Sequence, residues 1–179
     1  MVPRAWSTRL RAAPTRVAHW MRRSVSMSLA EWTIFVSAAA VNPIMLAVLR
    51  IRGTRAAAHL VRRASARKLA ARRRPINEQT IAEAKRASAW VNRGAAWPMP
   101  TVTCLARSLT GQLLLQRRGI ESVLRIGVRP AIGEEGDASS SLLFHAWVEV
   151  GDVPVNDTLD IGDRFLPFPL EEGLDVLDA

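Results

Sequence analysis

Charge and alanine content divide this chain near residue 90, and the division limits its folds more than any other feature. Residues 1–89 carry 18 Lys and Arg against 3 Asp and Glu, whereas residues 90–179 carry 7 against 13. Twenty of the 27 alanines lie in the first part. Small, helix-favouring side chains among arginines point to close-packed helices there rather than to sheet. A protein that coats nucleic acid would be basic throughout, and this one is not. With 49% hydrophobic and 23% charged residues the chain is not disordered. Its 179 residues suit one domain, or a small domain with an extension. A single cysteine excludes a disulfide framework and any metal site built from several thiolates.

Residues 1–23 contain Arg4, Arg9, Arg11, Arg16, Arg22 and Arg23, no acid, and no apolar core of the length a secretory signal needs. Residues 1–26 are therefore expected to be a basic extension outside the fold. From Trp32 to Leu49 there are 18 residues without a charge, at the threshold for a membrane-spanning helix. Asn42 and Pro43 interrupt that run, so two shorter helical segments packed within the protein are expected. Peripheral contact with a membrane is the alternative. Gly53 predicts a break. The next helix carries Ala57, Leu60, Val61, Ala64 and Leu69 at helical spacing, and Arg72-Arg73-Arg74-Pro75 ends it. Asn77 is a suitable N-cap for a third helix over about 78–92, with Ile81, Ala84, Ala87 or Ser88, and Val91 as its buried stripe. Residues 27–94 thus read as a helical N-terminal region.

The stretch Gly94-Ala95-Ala96-Trp97-Pro98-Met99-Pro100 predicts a rigid turn, and residues 95–179 form the second part. There Thr101 or Thr103 would cap a helix beginning at Cys104, with Leu105, Leu109 and Leu113 on one side and Gly119 as its stop. Residues 121–129 alternate as a strand, 130–141 form a polar loop, and 142–150 form a second strand. Gly151-Asp152 is a tight turn, and 153–156 start a third strand. The order predicts an α+β fold: N-terminal helices packed on a core in which a Cys-bearing helix lies against an antiparallel sheet.

Chemistry concentrates in the second part. In the first turn of a helix, free amide N–H groups and the dipole favour the thiolate of Cys104. His145 is the only histidine after residue 59, and strand alternation puts it with Trp147 and Glu149 on one face. Across the tight turn, Asn156 or Asp157 falls near His145 and could hold the imidazole by one nitrogen, leaving the other for a thiol. Cysteine, histidine and an acceptor in this order form a nucleophile, base and orienter set. Metal binding fits poorly, because only one Cys and one His are at hand.

Several runs occur in order: Cys104-Leu105-Ala106-Arg107-Ser108, residues 114–120 (LLQRRGI), residues 124–128 (LRIGV), His145-Ala146-Trp147-Val148-Glu149-Val150, and Asn156-Asp157. Together they resemble the B2 proteins of lasso peptide biosynthesis, which are leader peptidases with a transglutaminase-like cysteine protease core. The resemblance covers about residues 97–160. It implies a transglutaminase- or papain-like core, with Cys104 as nucleophile, His145 as general base and then acid, and Asp157 as the orienting carboxylate. It implies no cofactor and no metal. The substrate would be a ribosomally made precursor peptide, cut between leader and core in the cytoplasm, and a separate ATP-using cyclase would then close the core. Residues 1–89 lack the strand pattern of the leader-binding winged-helix domain fused to some such peptidases. A separate B1-type leader-binding protein is therefore expected.

Two other readings compete. The same three residues could serve a transglutaminase-type acyl transfer to an amine. From a different class, the arginine-rich half could bind nucleic acid or an anionic membrane, but few aromatic residues interleave its arginines and no nucleic-acid motif appears. Arg107, one turn into the Cys104 helix, is a candidate anchor for an acidic partner.

Overall fold

Ser28 and Glu31 start the first helix by reciprocal capping. The Ser28 N–H donates to the Glu31 carboxylate at 2.8 Å, and the Glu31 N–H donates to Ser28 Oγ at 3.3 Å. The computed structural model describes residues 27–97, 103–130 and 142–168. The basic extension, Thr101 and most of the polar loop after Pro130 lie outside the described residues. The chain divides into two units, residues 1–33 and 34–179. All packing described below belongs to the second.

Helix α1 spans Leu29–Arg72 and departs from helical geometry only at Gly53, whose φ of 77° and ψ of 179° suit glycine alone. The expected break at Gly53 is therefore present, but the expected interruption at Pro43 is not: the helix runs through it. Asn42, beside that proline, is buried and knots three helices. It donates to the Ala95 carbonyl at 3.3 Å and accepts from Thr110 at 3.4 Å. The hydrogen bond that a proline denies the helix is offset by this knot and by burial of Ile34, Phe35, Ala38, Met45 and Leu46 along one face. Val36 and Ile44 remain exposed on the other. By length and composition α1 could cross a membrane, with a mean hydropathy of 2.0 over its most apolar 18 residues, a third of them buried in the protein. Beyond Gly53 the buried stripe is Thr54, Ala57, Ala58, Val61 and Ser65. Leu60 and Ala64, expected inside, face solvent, on the flank of the helix away from the stripe of Thr54, Ala58, Val61 and Ser65.

Helix α2 spans Glu78–Ala95, capped by Asn77, which accepts from the Thr80 N–H at 2.9 Å. Its buried residues include Ala84, Ala87, Ser88 and Val91, the expected stripe. Gly94, read from sequence as the start of a turn, lies inside the helix. A side chain there would collide with the Phe35 carbonyl, so the glycine serves close packing on α1.

Helix α3 spans Cys104–Arg117 and is followed by strands β1 (Val123–Pro130), β2 (Leu142–Val150) and β3 (Val153–Pro154), a short helix α4 (Ile161–Arg164) and strand β4 (Leu166–Phe168). The sheet is antiparallel in the order β3-β2-β1-β4. Gly151 and Asp152 make the β2–β3 turn with φ of 55° and 60°, the left-handed pair of a tight hairpin. The third strand is shorter than expected. The return of β4 onto the free side of β1 was not legible, because three residues interrupted by Pro167 give no alternation to read.

The expected α+β architecture is the observed one. Leu109 and Leu113 of α3 meet Leu124 and Ile126 of β1, Ala146 of β2, and Met45, Ala57 and Val61 of α1 in one cluster. A second joins Ile34 and Ala38 of α1 and Ala84, Ala87 and Val91 of α2 to Leu115 of α3 and Val148 and Val150 of β2. The long helices thus complete the core that the sheet alone is too small to supply.

Candidate active site

Thr103 caps α3 by accepting from the Ala106 N–H at 3.2 Å, which leaves Cys104 as the first residue of the helix. The helix reaches β2 on the side where that strand lacks a paired neighbour: β3 pairs only at Glu149 and Val150. Upstream of that pairing, the backbone groups on this side of β2 need other partners. The Val148 carbonyl accepts from the Val155 N–H at 2.9 Å, and side chains supply others. Ser108 donates to the Ala146 carbonyl at 2.9 Å, and the Val148 N–H donates to Asn156 Oδ1 at 2.7 Å. Asn156 Nδ2 in turn donates to Ser108 Oγ at 3.0 Å, and the Asn156 carbonyl accepts from Asn92 at 3.1 Å. Both Ser108 and Asn156 are buried. This network fixes the start of α3 against the strand that carries His145 and the loop that carries Asp157.

Two of the three residues singled out from sequence meet directly at this edge, and the third, Cys104, stands beside His145 at the start of α3. His145 Nε2 and Asp157 Oδ2 are 2.7 Å apart, and Asp157 Oδ1 also accepts from the Thr158 N–H at 2.9 Å. With Nε2 turned to the carboxylate, Nδ1 is the ring nitrogen left for the thiol. Burial pushes the Cys104 thiol up, but the hydrogen bond with His145, the Ala146 N–H and the imidazole charge outweigh it, so the thiol sits below its ordinary value. His145 sits above its ordinary value. The hydrogen bond to Cys104 raises it most, burial opposes, and Asp157 adds to the rise. Each shift favours a thiolate–imidazolium pair.

Asn156, the alternative orienter from sequence, turns inward to Ser108 and Val148, and Asp157 is the residue that meets the imidazole. Trp147 stacks near the imidazole, with ring centres 6.4 Å apart, and donates to Glu149 at 2.8 Å. Its ring lies over Gly127, where a Cβ would come within 2.9 Å of both Trp147 and Phe165. Phe165 closes the other side of the imidazole at 5.1 Å. Sequence reading did not find Phe165, which stands between a four-residue helix and a three-residue strand and leaves no periodic trace. Ser108 stood within a recognised run, but a serine in mid-helix gives no sign of a bond to a distant carbonyl.

Residues 44–168 match the family model of the transglutaminase-like superfamily. The chain belongs to the transglutaminase-like superfamily. The match ends with β4 and begins within α1, so the greater part of α1 and all of α2 lie inside the transglutaminase-like region. Members of this superfamily are usually Cys-His-Asp enzymes, acting as cysteine proteases or acyl transferases. Comparison with curated proteins and with solved structures found no match.

Proposed function

We propose that this transglutaminase-like protein is a cysteine peptidase that removes the leader from a ribosomally made lasso precursor peptide. The observation that supports the catalytic part is the contact of His145 with Asp157 beside a Cys104 thiol held below its ordinary value. The lasso substrate rests on the resemblance of the ordered runs between residues 97 and 160. The enzyme acts in the cytoplasm, where a ribosomal product and an ATP-using cyclase are available, and a separate B1-type protein presents the leader to it.

The Cys104 thiolate attacks the carbonyl carbon of the last leader residue and forms a carbon–sulfur bond. The Cys104 backbone N–H, unused in the first turn of α3, is the donor for the oxyanion. The intermediate collapses as the carbon–nitrogen bond breaks, and His145 gives its proton to the departing amine of the core. A thioester to the leader remains. His145 then takes a proton from water, the hydroxide attacks the thioester, and the carbon–sulfur bond breaks to release the leader carboxylate and the thiolate. Asp157 holds the imidazole in the orientation both steps need.

The test is cleavage of the precursor by the purified chain with its leader-binding partner. Cys104→Ala and His145→Ala are expected to lower turnover by about 10³-fold or more, and Asp157→Asn by about 10²-fold. Full leader removal by the Cys104→Ala protein would end the thiol mechanism.

The superfamily equally admits acyl transfer to an amine, which shares the thioester. Adding a primary amine during turnover separates the two: a peptidase yields the free leader acid, and a transferase yields the leader amide, resolved by mass spectrometry.

A further inference from the structure

Beside the catalytic residues, a cleft of about 490 Å³ opens between α2, the first turn of α3 and the loop after β3. Lys85, Ala89 and Asn92 line it from α2, Arg107 from α3, and residues 155–158 from the loop. Asp157 belongs to both places, lining the cleft and holding His145. Among the described residues neither Lys85 nor Arg107 has a carboxylate partner. The one acid in the lining is already engaged, since Asp157 accepts from Thr158 and pairs with His145.

A guanidinium and an ammonium that line one cleft without a carboxylate partner suit a carboxylate ligand, which a guanidinium can take with two parallel bonds. We infer that this cleft is a substrate subsite that binds an acidic side chain of the peptide being cut, with Lys85 and Arg107 on the carboxylate. The inference rests on the peptidase reading for its ligand, but the cleft and its two cations do not depend on that reading. Arg107 follows Cys104 by three residues, a rise of about 4.5 Å along the helix. An extended peptide advances about 3.3 Å per residue. The recognised acid therefore stands within about four residues of the scissile bond.

The experiment uses the full chain carrying Cys104→Ala, so that binding is read without turnover. Its probes are fluorescent peptides spanning the leader–core junction of a lasso precursor, with one Glu or Gln placed in turn at each position within four residues of the junction. Expected is a position where the Glu peptide binds at least about 5-fold more tightly than its Gln twin, with the ratio falling close to one in Lys85→Ala and in Arg107→Gln. Lys85 is exposed, so its variant keeps the fold even if the Arg107 change perturbs it. Equal binding of Glu and Gln peptides at every position would overturn the subsite, as would a Glu preference that survives Lys85→Ala. A single-stranded oligonucleotide that displaces the Glu and Gln peptides alike would also overturn it, marking a general anion surface. Cleavage of the same peptides by the unsubstituted protein is measured in parallel. Peptides bound with the Glu preference but never cut would sink the peptidase reading and leave the cleft, whereas peptides cut with no preference would do the reverse.

Discussion

At Cys104 burial and a neighbouring imidazole pull the thiol in opposite directions, and the imidazole wins. The consequence is measurable without any substrate, because the chain has one cysteine. Iodoacetamide labelling followed by mass spectrometry is expected to stay fast at pH values where an ordinary thiol has gone silent. In His145→Ala the lowering influence is gone and burial remains, so the half-maximal labelling pH should rise by about one unit or more. An unmoved midpoint would show that the two groups do not interact. The same pair sets the shape of the activity profile. Turnover falls on the acid side as the thiolate is protonated, below the ordinary thiol range. It falls on the alkaline side as His145 loses its proton, above the ordinary imidazole range. The identities of Cys104 and His145 were legible because each residue type is scarce in this half of the chain. The partner on His145 stayed divided between Asn156 and Asp157, since adjacent residues on a short loop differ only in which way each turns.

Elements meet here through side chains that do the work of missing strand neighbours. β3 is two residues long, and the edge of β2 beyond it is completed by Ser108 and Asn156. Replacing Asn156 with Ala leaves the Val148 N–H buried and unmet, at a cost of about 1–3 kcal/mol read as a lower denaturation midpoint. Activity should fall further than stability, because the loop holding Asp157 loses its anchor. An Asn156→Ala protein with normal turnover would show that Asp157 is held by other means. The break in α1 has the same character. Gly53 adopts a conformation that L side chains avoid, so Gly53→Ala is expected to lower the unfolding free energy by about 1–3 kcal/mol. Sequence reading placed that break correctly from glycine's punctuation. It misplaced the one at Pro43, because it could not see that Asn42 reaches Ala95 and Thr110, far along the chain.

The whole molecule is not a catalytic half with a basic attachment. Residues of α1 and α2 fill both large clusters against α3 and the sheet, and the family match itself begins at residue 44. Removing residues 1–90 takes away Met45, Val61 and Ala84 together, so the remaining chain is expected to be insoluble or to lack a cooperative transition by circular dichroism. Soluble, active residues 91–179 would refute that view of the core. Among the described residues, the arginines of α1 lie on solvent-facing positions. Just beyond its end, Arg73 meets Glu121 and Arg74 meets Glu83. Exposed pairs of this kind contribute about 0–1 kcal/mol each, so the basic surface is not what holds the molecule together.

Residue type and short-range order alone determined the three long helices and the first two strands, the interruptions at Gly53 and Gly151, and that one cysteine and one histidine fall in a helix-then-hairpin order. These are local properties, carried by periodicity, capping and turn chemistry within a few residues. Tertiary structure decided which acid faces His145, that Phe165 and Trp147 wall it, and that Ser108 and Asn156 seal the strand edge. It also decided that Lys85 and Arg107 line one cleft, with no carboxylate partner among the described residues. Those outcomes depend on partners up to 64 residues apart, as between Asn92 and Asn156, and no local pattern records a neighbour that only folding brings near.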